Sequence, residues 1–285
     1  MAAQTLFVAY YSLTLVIVGT LLSFFTFIIL CRLKLRNRRA KSTLYYLRTI
    51  AIFDILMLYG WNLDHYLDGI YGFTLQTSSI SLCRFLSFFN YFTCQSSAWL
   101  RIFICLDRYL SFSRLQPTWF HRPKNTFIII ICILVFFILF NGIFFVYGCS
   151  YKTDGTIQVH SWTFSIYPLW DYINLGVYNC IPFILMVIFN SGVIYHLIHR
   201  HHRTTIRNSR IRHRSITITL ITTTFLFLIM TVPATVAFAF FPDGNETILH
   251  LLDGILYTYH ITSFPLYLIT FGKFRREIFV FIQRK

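Results

Sequence analysis

Seven apolar stretches dominate this chain, each long enough to cross a hydrocarbon core that needs roughly 20 apolar residues. They run approximately over Leu6–Cys31, Leu44–Leu67, Leu82–Leu110, Phe127–Tyr147, Ile173–Leu197, Ile216–Phe240 and Ile248–Phe271. The second is the least continuous, because Arg48, Asp54, Asp64 and His65 interrupt it. The segments are too long and too evenly apolar for the alternating pattern of a membrane barrel. With 56% hydrophobic and 12% charged residues among 285, a soluble domain is excluded. The expectation is an all-α membrane protein: a single seven-helix domain over residues 1–285.

Loops rich in Lys and Arg stay on the cytoplasmic side. Arg32 to Arg48, Arg108 to Lys124, Arg200 to Arg214 and Lys273 to Lys285 hold 22 of the 25 basic residues, leaving Arg84, Arg101 and Lys152. All four groups fall on one side of the seven crossings. This predicts a multi-pass plasma-membrane protein with an outer N-terminus and a cytoplasmic C-terminus. Only Met1–Thr5 precede the first segment, with no cleavage site of small residues, so it reads as a retained helix that doubles as the targeting signal. The net charge of +15 then points to anionic inner-leaflet lipid as a partner and not to nucleic acid. The histidines between His196 and His213 alternate with Arg, which repels cations, so no metal site is expected.

Cys31, Cys94, Cys105, Cys132 and Cys180 sit within apolar segments as small packing residues. Cys83 and Cys149 fall at the outer surface, where conditions are oxidising, and are expected to be bridged. Asn245-Glu246-Thr247 is a glycosylation sequon in an outer loop, with Asn245 as acceptor.

At the inner end of the third segment stands Asp107-Arg108-Tyr109, with Arg108 25 residues after Cys83. Ile50-Ala51-Ile52-Phe53-Asp54, Pro182, Phe227 with Pro233, Ser263-Phe264-Pro265-Leu266-Tyr267 and the ending Gly272-Lys273-Phe274-Arg275-Arg276-Glu277 complete the set. Together these resemble the rhodopsin-like, or class A, G protein-coupled receptors over nearly the whole chain. The ending and the stretch Pro182 to Asn190 resemble the invertebrate FMRFamide-type neuropeptide receptors. The resemblance implies a receptor, not an enzyme, that passes the binding of an extracellular ligand to a heterotrimeric G protein. Asp107, Arg108, Tyr109, Phe227, Pro233 and Tyr267 would form its activation switch. Asp107 can hold the Arg108 guanidinium at rest, and its release would let Arg108 reach the partner.

Several positions depart from the family. Thr20 stands where the family has Asn, the fourth helix lacks its Trp, Thr231 replaces the sixth-helix Trp, and Ser263 replaces the seventh-helix Asn. The family would place a sodium ion at Asp54 with Ser97 and polar groups of helix seven, among them Ser263. Arg101, one turn below Ser97, occupies a position that the family leaves apolar. Its guanidinium is expected to replace sodium as the counter-ion of Asp54, since each ionised group at mid-membrane costs about 2.5–3.5 kcal/mol and seeks a partner.

Seven of the ten acids lie on the outer half: Asp64, Asp68, Asp154, Asp171, Asp243, Glu246 and Asp253. Such an entrance concentrates cationic ligands, and amidated peptides ending in Arg-Phe would suit it. The expected pocket is Asp64, His65, Asn90, Tyr91, Asp171, Asp253 and Tyr257. Asn90 stands where amine receptors carry Asp, and no Lys between Ile248 and Gly272 could anchor retinal, so no cofactor is expected. A chemosensory or degenerate receptor is the alternative; a transporter is disfavoured by the lack of repeat symmetry between halves.

Phe274, Ile278, Phe279 and Phe281 or Ile282 alternate with basic residues across Lys273–Arg284, the pattern of an amphipathic helix on the inner leaflet. No Ser/Thr-rich tail follows, so weak desensitisation is expected. A ligand-driven arrestin recruitment assay should give little signal; robust recruitment would contradict this, unless the Ser and Thr residues between Thr204 and Thr224 substitute.

Overall fold

The computed structural model describes residues 3–33, 38–112, 122–152, 155–158, 166–201, 207–241 and 244–283. Lys34, Arg36, Arg114, Asp154, Arg203, Asp243, Arg284 and Lys285 lie outside them. The first apolar segment forms α1 (Ala3–Arg32). The second forms α2 (Arg38–Met57) and α3 (Trp61–Tyr71), and the third forms α4 (Ile80–Phe112). The fourth forms α5 (Pro123–Asn141) and a single turn, α6 (Phe144–Tyr147). A short hairpin follows, β1 (Ser150–Tyr151) antiparallel to β2 (Ile157–Gln158), with Ser150 opposite Gln158.

The fifth segment comprises α7 (Ile166–Asn174), a π-helical stretch at Leu175–Cys180 and α8 (Ile181–His201). The sixth is α9 (Arg207–Phe240), and the seventh is α10 (Glu246–Ile261) with α11 (Ser263–Thr270). Last comes α12 (Gly272–Gln283).

The breaks have local causes. Pro182 has no N–H for the carbonyl of Tyr178, and the wider π turns just before it absorb that mismatch. Pro265 likewise cannot donate to the carbonyl of Ile261, and α10 ends there; Thr262 N–H is shared between Thr258 O (3.3 Å) and Tyr259 O (3.1 Å). The second segment was expected to be continuous to Leu67, but it bends at Leu58–Gly60. A Cβ on Gly60 would lie 2.0 Å from Asn90 Oδ1, so only glycine lets this bend pass so close to α4. The sixth helix begins at Arg207, nine residues before the expected start at Ile216.

Helix α4 is central and packs against α2, α5 and α8, while α1 packs against α2, α3 and α10. Among the described residues, four stretches are long and apolar enough to span a membrane by composition alone: Ala3–Arg32, Pro123–Tyr147, Leu169–His196 and Ile221–Phe240. The second, third and seventh segments fall short because of polar groups that turn inward. Asp54, Arg101, Asp107 and Arg108 are all buried. Peripheral α5 instead turns Phe127, Ile131, Val135, Phe136 and Leu139 outward, as a lipid-facing surface requires.

Helix α12 buries Phe274 and Ile278 and leaves Arg275, Arg276 and Phe279 exposed. Phe274 packs edge-on against Tyr267 at 5.8 Å, and Arg32 sits 4.9 Å over the Phe281 ring. The amphipathic reading of this segment therefore matches its packing.

Cys83 and Cys149 are bridged, with Cα atoms 6.3 Å apart. Arg84 reinforces the junction by donating to Cys149 O from Nη2 (3.2 Å) and Nε (3.4 Å). On the chain-entropy account, closing a loop of this length stabilises the fold by about 4 kcal/mol. The Cys83→Ser/Cys149→Ser variant should melt at a lower temperature than the parent in a detergent thermal-unfolding assay; identical melting would show that the bridge contributes nothing.

Candidate functional site

Three polar groupings lie along α4, one at the disulfide end, one at mid-bundle and one at the basic end. Spacing explains their alignment: Ser97, Arg101 and Arg108 recur at four and seven residues and share a helix face.

At mid-bundle, Arg101 Nη2 donates to Asp54 Oδ1 at 2.8 Å, and Arg101 Nη1 donates to the Ser97 hydroxyl. His260 Nδ1 lies 2.8 Å from the same Oδ1, and Ser263 Oγ donates to Asp54 Oδ2 at 3.0 Å. The Tyr259 ring sits 4.9 Å from the guanidinium carbon. Asp54 thus receives donors on both oxygens from α4, α10 and α11, with 1% of its surface exposed. A guanidinium and a carboxylate at this distance form a charge-assisted pair. The position where the family resemblance implied sodium is spanned by the Arg101 side chain.

His260 was missed by the sequence reading. A signal for it existed, since it lies three residues before Ser263 and seven after Asp253, on one face of the seventh segment. Its Nε2 has no hydrogen-bond partner among the described residues.

At the basic end, Thr43 Oγ1 donates to Asp107 Oδ2 at 2.8 Å and Ser42 Oγ to Oδ1 at 3.4 Å. Ser42 is also 2.7 Å from Thr126 Oγ1. The expected role of Asp107 is to hold Arg108; the contacts its carboxylate makes with Thr43 and Ser42 tie the start of α2 to α4, and through Ser42 to the first turn of α5. Tyr109 stacks on Phe189 at 6.0 Å and lies 5.8 Å from His196. Gly192 makes room for it, because a Cβ there would stand 2.5 Å from the Tyr109 ring.

At the disulfide end, Asn90, Tyr91, Asp171, Asp253 and Tyr257 line one cavity. Trp61 and Tyr178, not expected from the sequence, complete its aromatic wall. Tyr91 donates to Asp171 Oδ1 at 2.7 Å. Two expected members are elsewhere. The Asp64 carboxylate accepts from the backbone N–H groups of Leu75 (2.8 Å) and Gln76 (3.2 Å) and so fastens the connection between α3 and α4. His65 stacks on His250 at 4.1 Å, with Nε2 3.5 Å from Asp253 Oδ2; it is behind the cavity wall, not on it.

An aromatic series joins the cavity to the mid-bundle cluster. Phe227 meets Tyr178 edge-on at 5.4 Å and Tyr259 at 5.4 Å. Thr231 donates to Asn179 Oδ1 at 2.6 Å, binding α9 to the π-helical stretch. Pro233 interrupts the α9 hydrogen-bond ladder two residues later. Asn245 caps α10, accepting from Thr247 N (3.0 Å) and Ile248 N (3.4 Å).

A family model described as "7 transmembrane receptor (rhodopsin family)" matches residues 25–263. The match takes in the disulfide, the Asp54 cluster and Asp107-Arg108-Tyr109, and stops before Tyr267 and α12. No curated protein matches the chain.

Removing one partner of a buried ion pair costs about 3–5 kcal/mol, whereas replacing both is often neutral. Arg101→Met should therefore lower the melting temperature sharply, and Asp54→Asn/Arg101→Met should recover most of the loss. The parent should melt identically in sodium and choline buffers. Sodium-dependent melting of the parent would oppose the assignment of Arg101 as counter-ion.

Proposed function

The chain belongs to the rhodopsin family of seven-transmembrane receptors, and we propose that it carries an extracellular binding event to a cytoplasmic heterotrimeric G protein. It is a membrane receptor of a family that signals without covalent chemistry. In our reading the disulfide end faces outward and the basic end faces the cytoplasm at the plasma membrane, as the Lys and Arg distribution favours.

The observation that carries this reading is the continuity of α4. It runs unbroken from Ile80 to Phe112, with Asn90, Tyr91 and Cys94 on the cavity wall at one end and Arg108 at the other. A shift of α4 relative to α8 and α9 at the cavity would be felt at Arg108, through Arg101 and through the Tyr178, Phe227 and Tyr259 series. The ligand acts by binding one arrangement of the helices better than the other.

The ligand we propose is a cationic amidated neuropeptide. The acids Asp171 and Asp253 in the cavity wall support it, as does the resemblance to FMRFamide-type receptors. A chemosensory ligand is the second reading, favoured by Thr231 and Ser263 at positions where the family keeps Trp and Asn.

Arg108 reaches the G protein in this proposal. The segment Arg210 to Ser215, at the foot of the sixth helix, contains no acid to restrain it, so basal signalling should be high. In cells expressing the chain, G-protein dissociation should exceed that of mock-transfected cells, rise with at least one amidated peptide, and fall to background for Arg108→Ala at equal surface expression. Silence of the parent, basal and stimulated, would overturn the coupling.

A further inference from the structure

Helix α9 continues through a proline, and both flanks of that proline are held by one side chain of another helix. Pro233 supplies no N–H to the carbonyl of Ile229, so the α9 ladder lacks a rung there. Thr231 and Thr235 stand two residues before it and two after it. Asn179 Oδ1 accepts from the Thr231 hydroxyl at 2.6 Å, and Asn179 Nδ2 donates to Thr235 Oγ1 at 2.5 Å. Asn179, Thr231 and Thr235 are all buried.

The helix is soft at this point for a second reason. Both threonines turn their hydroxyls back on their own helix, Thr231 to Phe227 O at 2.5 Å and Thr235 to Thr231 O and Val232 O at 3.1 Å each. Back-bonding of this kind weakens and bends a helix, and kinks gather where proline interrupts the ladder. Left to itself, α9 would sample a range of bends about Pro233. An amide bonded to one residue on each side of the missing rung selects among them. The wide turns of the π-helical stretch place Asn179 for this task, burying it together with Tyr178. Thr235 also lines the cavity at the disulfide end, so one end of the amide bridge lies within reach of whatever the cavity receives.

We propose that Asn179 is the positioning residue of α9: its side-chain amide, bonded on both sides of Pro233, sets the bend of that helix and with it the place of the helix's basic end. The proposal rests on the receptor reading above and names the element that an occupied cavity would move. The bonds from Asn190 to Thr224 (2.9 Å) and from Thr219 to Thr270 (2.5 Å) also join α9 to its neighbours, but both lie on one side of Pro233. Replacing Asn179 by Leu removes the bridge without stranding the threonines, because each hydroxyl keeps a carbonyl of its own helix.

The test is a distance measurement by pulsed electron spin resonance on the full chain in nanodiscs. Spin-labelled noncanonical residues replace exposed Lys41 on α2 and exposed Phe225 on α9. The parent should show one dominant distance. Asn179→Leu should shift the balance toward a second distance by about fivefold, as the loss of a net hydrogen bond predicts, and should raise basal G-protein dissociation at equal surface expression. The similarly shaped Thr231→Val should act in the same direction more weakly, whereas Thr231→Ser, which keeps the hydroxyl, should match the parent. Identical distances in the parent and Asn179→Leu, even with a lowered melting temperature, would reduce the bridge to a structural tie and overturn the proposal. Thr231→Ser behaving like Thr231→Val would overturn it as well. A shifted distance with no G-protein dissociation by any variant leaves the positioning role standing and removes the signalling reading instead; dissociation by the parent with unshifted distances does the reverse.

Discussion

Asp54 is the constraint around which the middle of the bundle is built. An ionised carboxylate there is costly, and the structure answers with donors from three directions: Arg101 on α4, His260 on α10 and Ser263 on α11. Each donor fixes the register of its helix against α2. Arg101 in turn needs Asp54, Ser97 and the Tyr259 ring. The cluster is a set of mutual obligations, so displacing one helix loosens the others. A polar centre that couples three helices to α2 makes their movements interdependent.

Polar side chains repeat this role along the interior. Thr43 and Ser42 hold Asp107, Asn190 donates to Thr224 between α8 and α9 at 2.9 Å, and Asn141 donates to Gln95 between α5 and α4 at 2.8 Å. In lipid the outer surface supplies no competing polar partners, so interhelical hydrogen bonds of this kind specify which faces meet. The disulfide fixes the far end of α4 in the same spirit, covalently.

The departures from the family pattern fall into place physically. Thr231, in place of a large indole, is short enough to reach Asn179 on the π-helical stretch, and Phe227 fills the space between Tyr178 and Tyr259. Arg101 brings a tethered cation to Asp54, where it also bonds the Ser97 hydroxyl. A charge carried on a side chain stays with its helix, so the pair ties α4 to α2.

The sequence determined the seven apolar segments, the amphipathic α12, the partnership of Cys83 with Cys149 and the need of Asp54 for a cation such as Arg101. These follow from apolar length, periodicity and the cost of an unpaired charge, which are local or nearly so. It did not reveal that His260 joins Asp54, because a single histidine in an apolar helix points to no partner until the helix is rotated into place. Nor did it separate Asp253, whose carboxylate faces the cavity, from Asp64, whose carboxylate is consumed by Leu75 and Gln76 N–H groups. Both are acids near the same end, but Asp64 lies on α3 and Asp253 on α10, and each helix turns its carboxylate toward different neighbours. Which acids line the cavity and which fasten a backbone turn was decided by tertiary structure, since direction and neighbour are properties of the packed bundle and not of the chain.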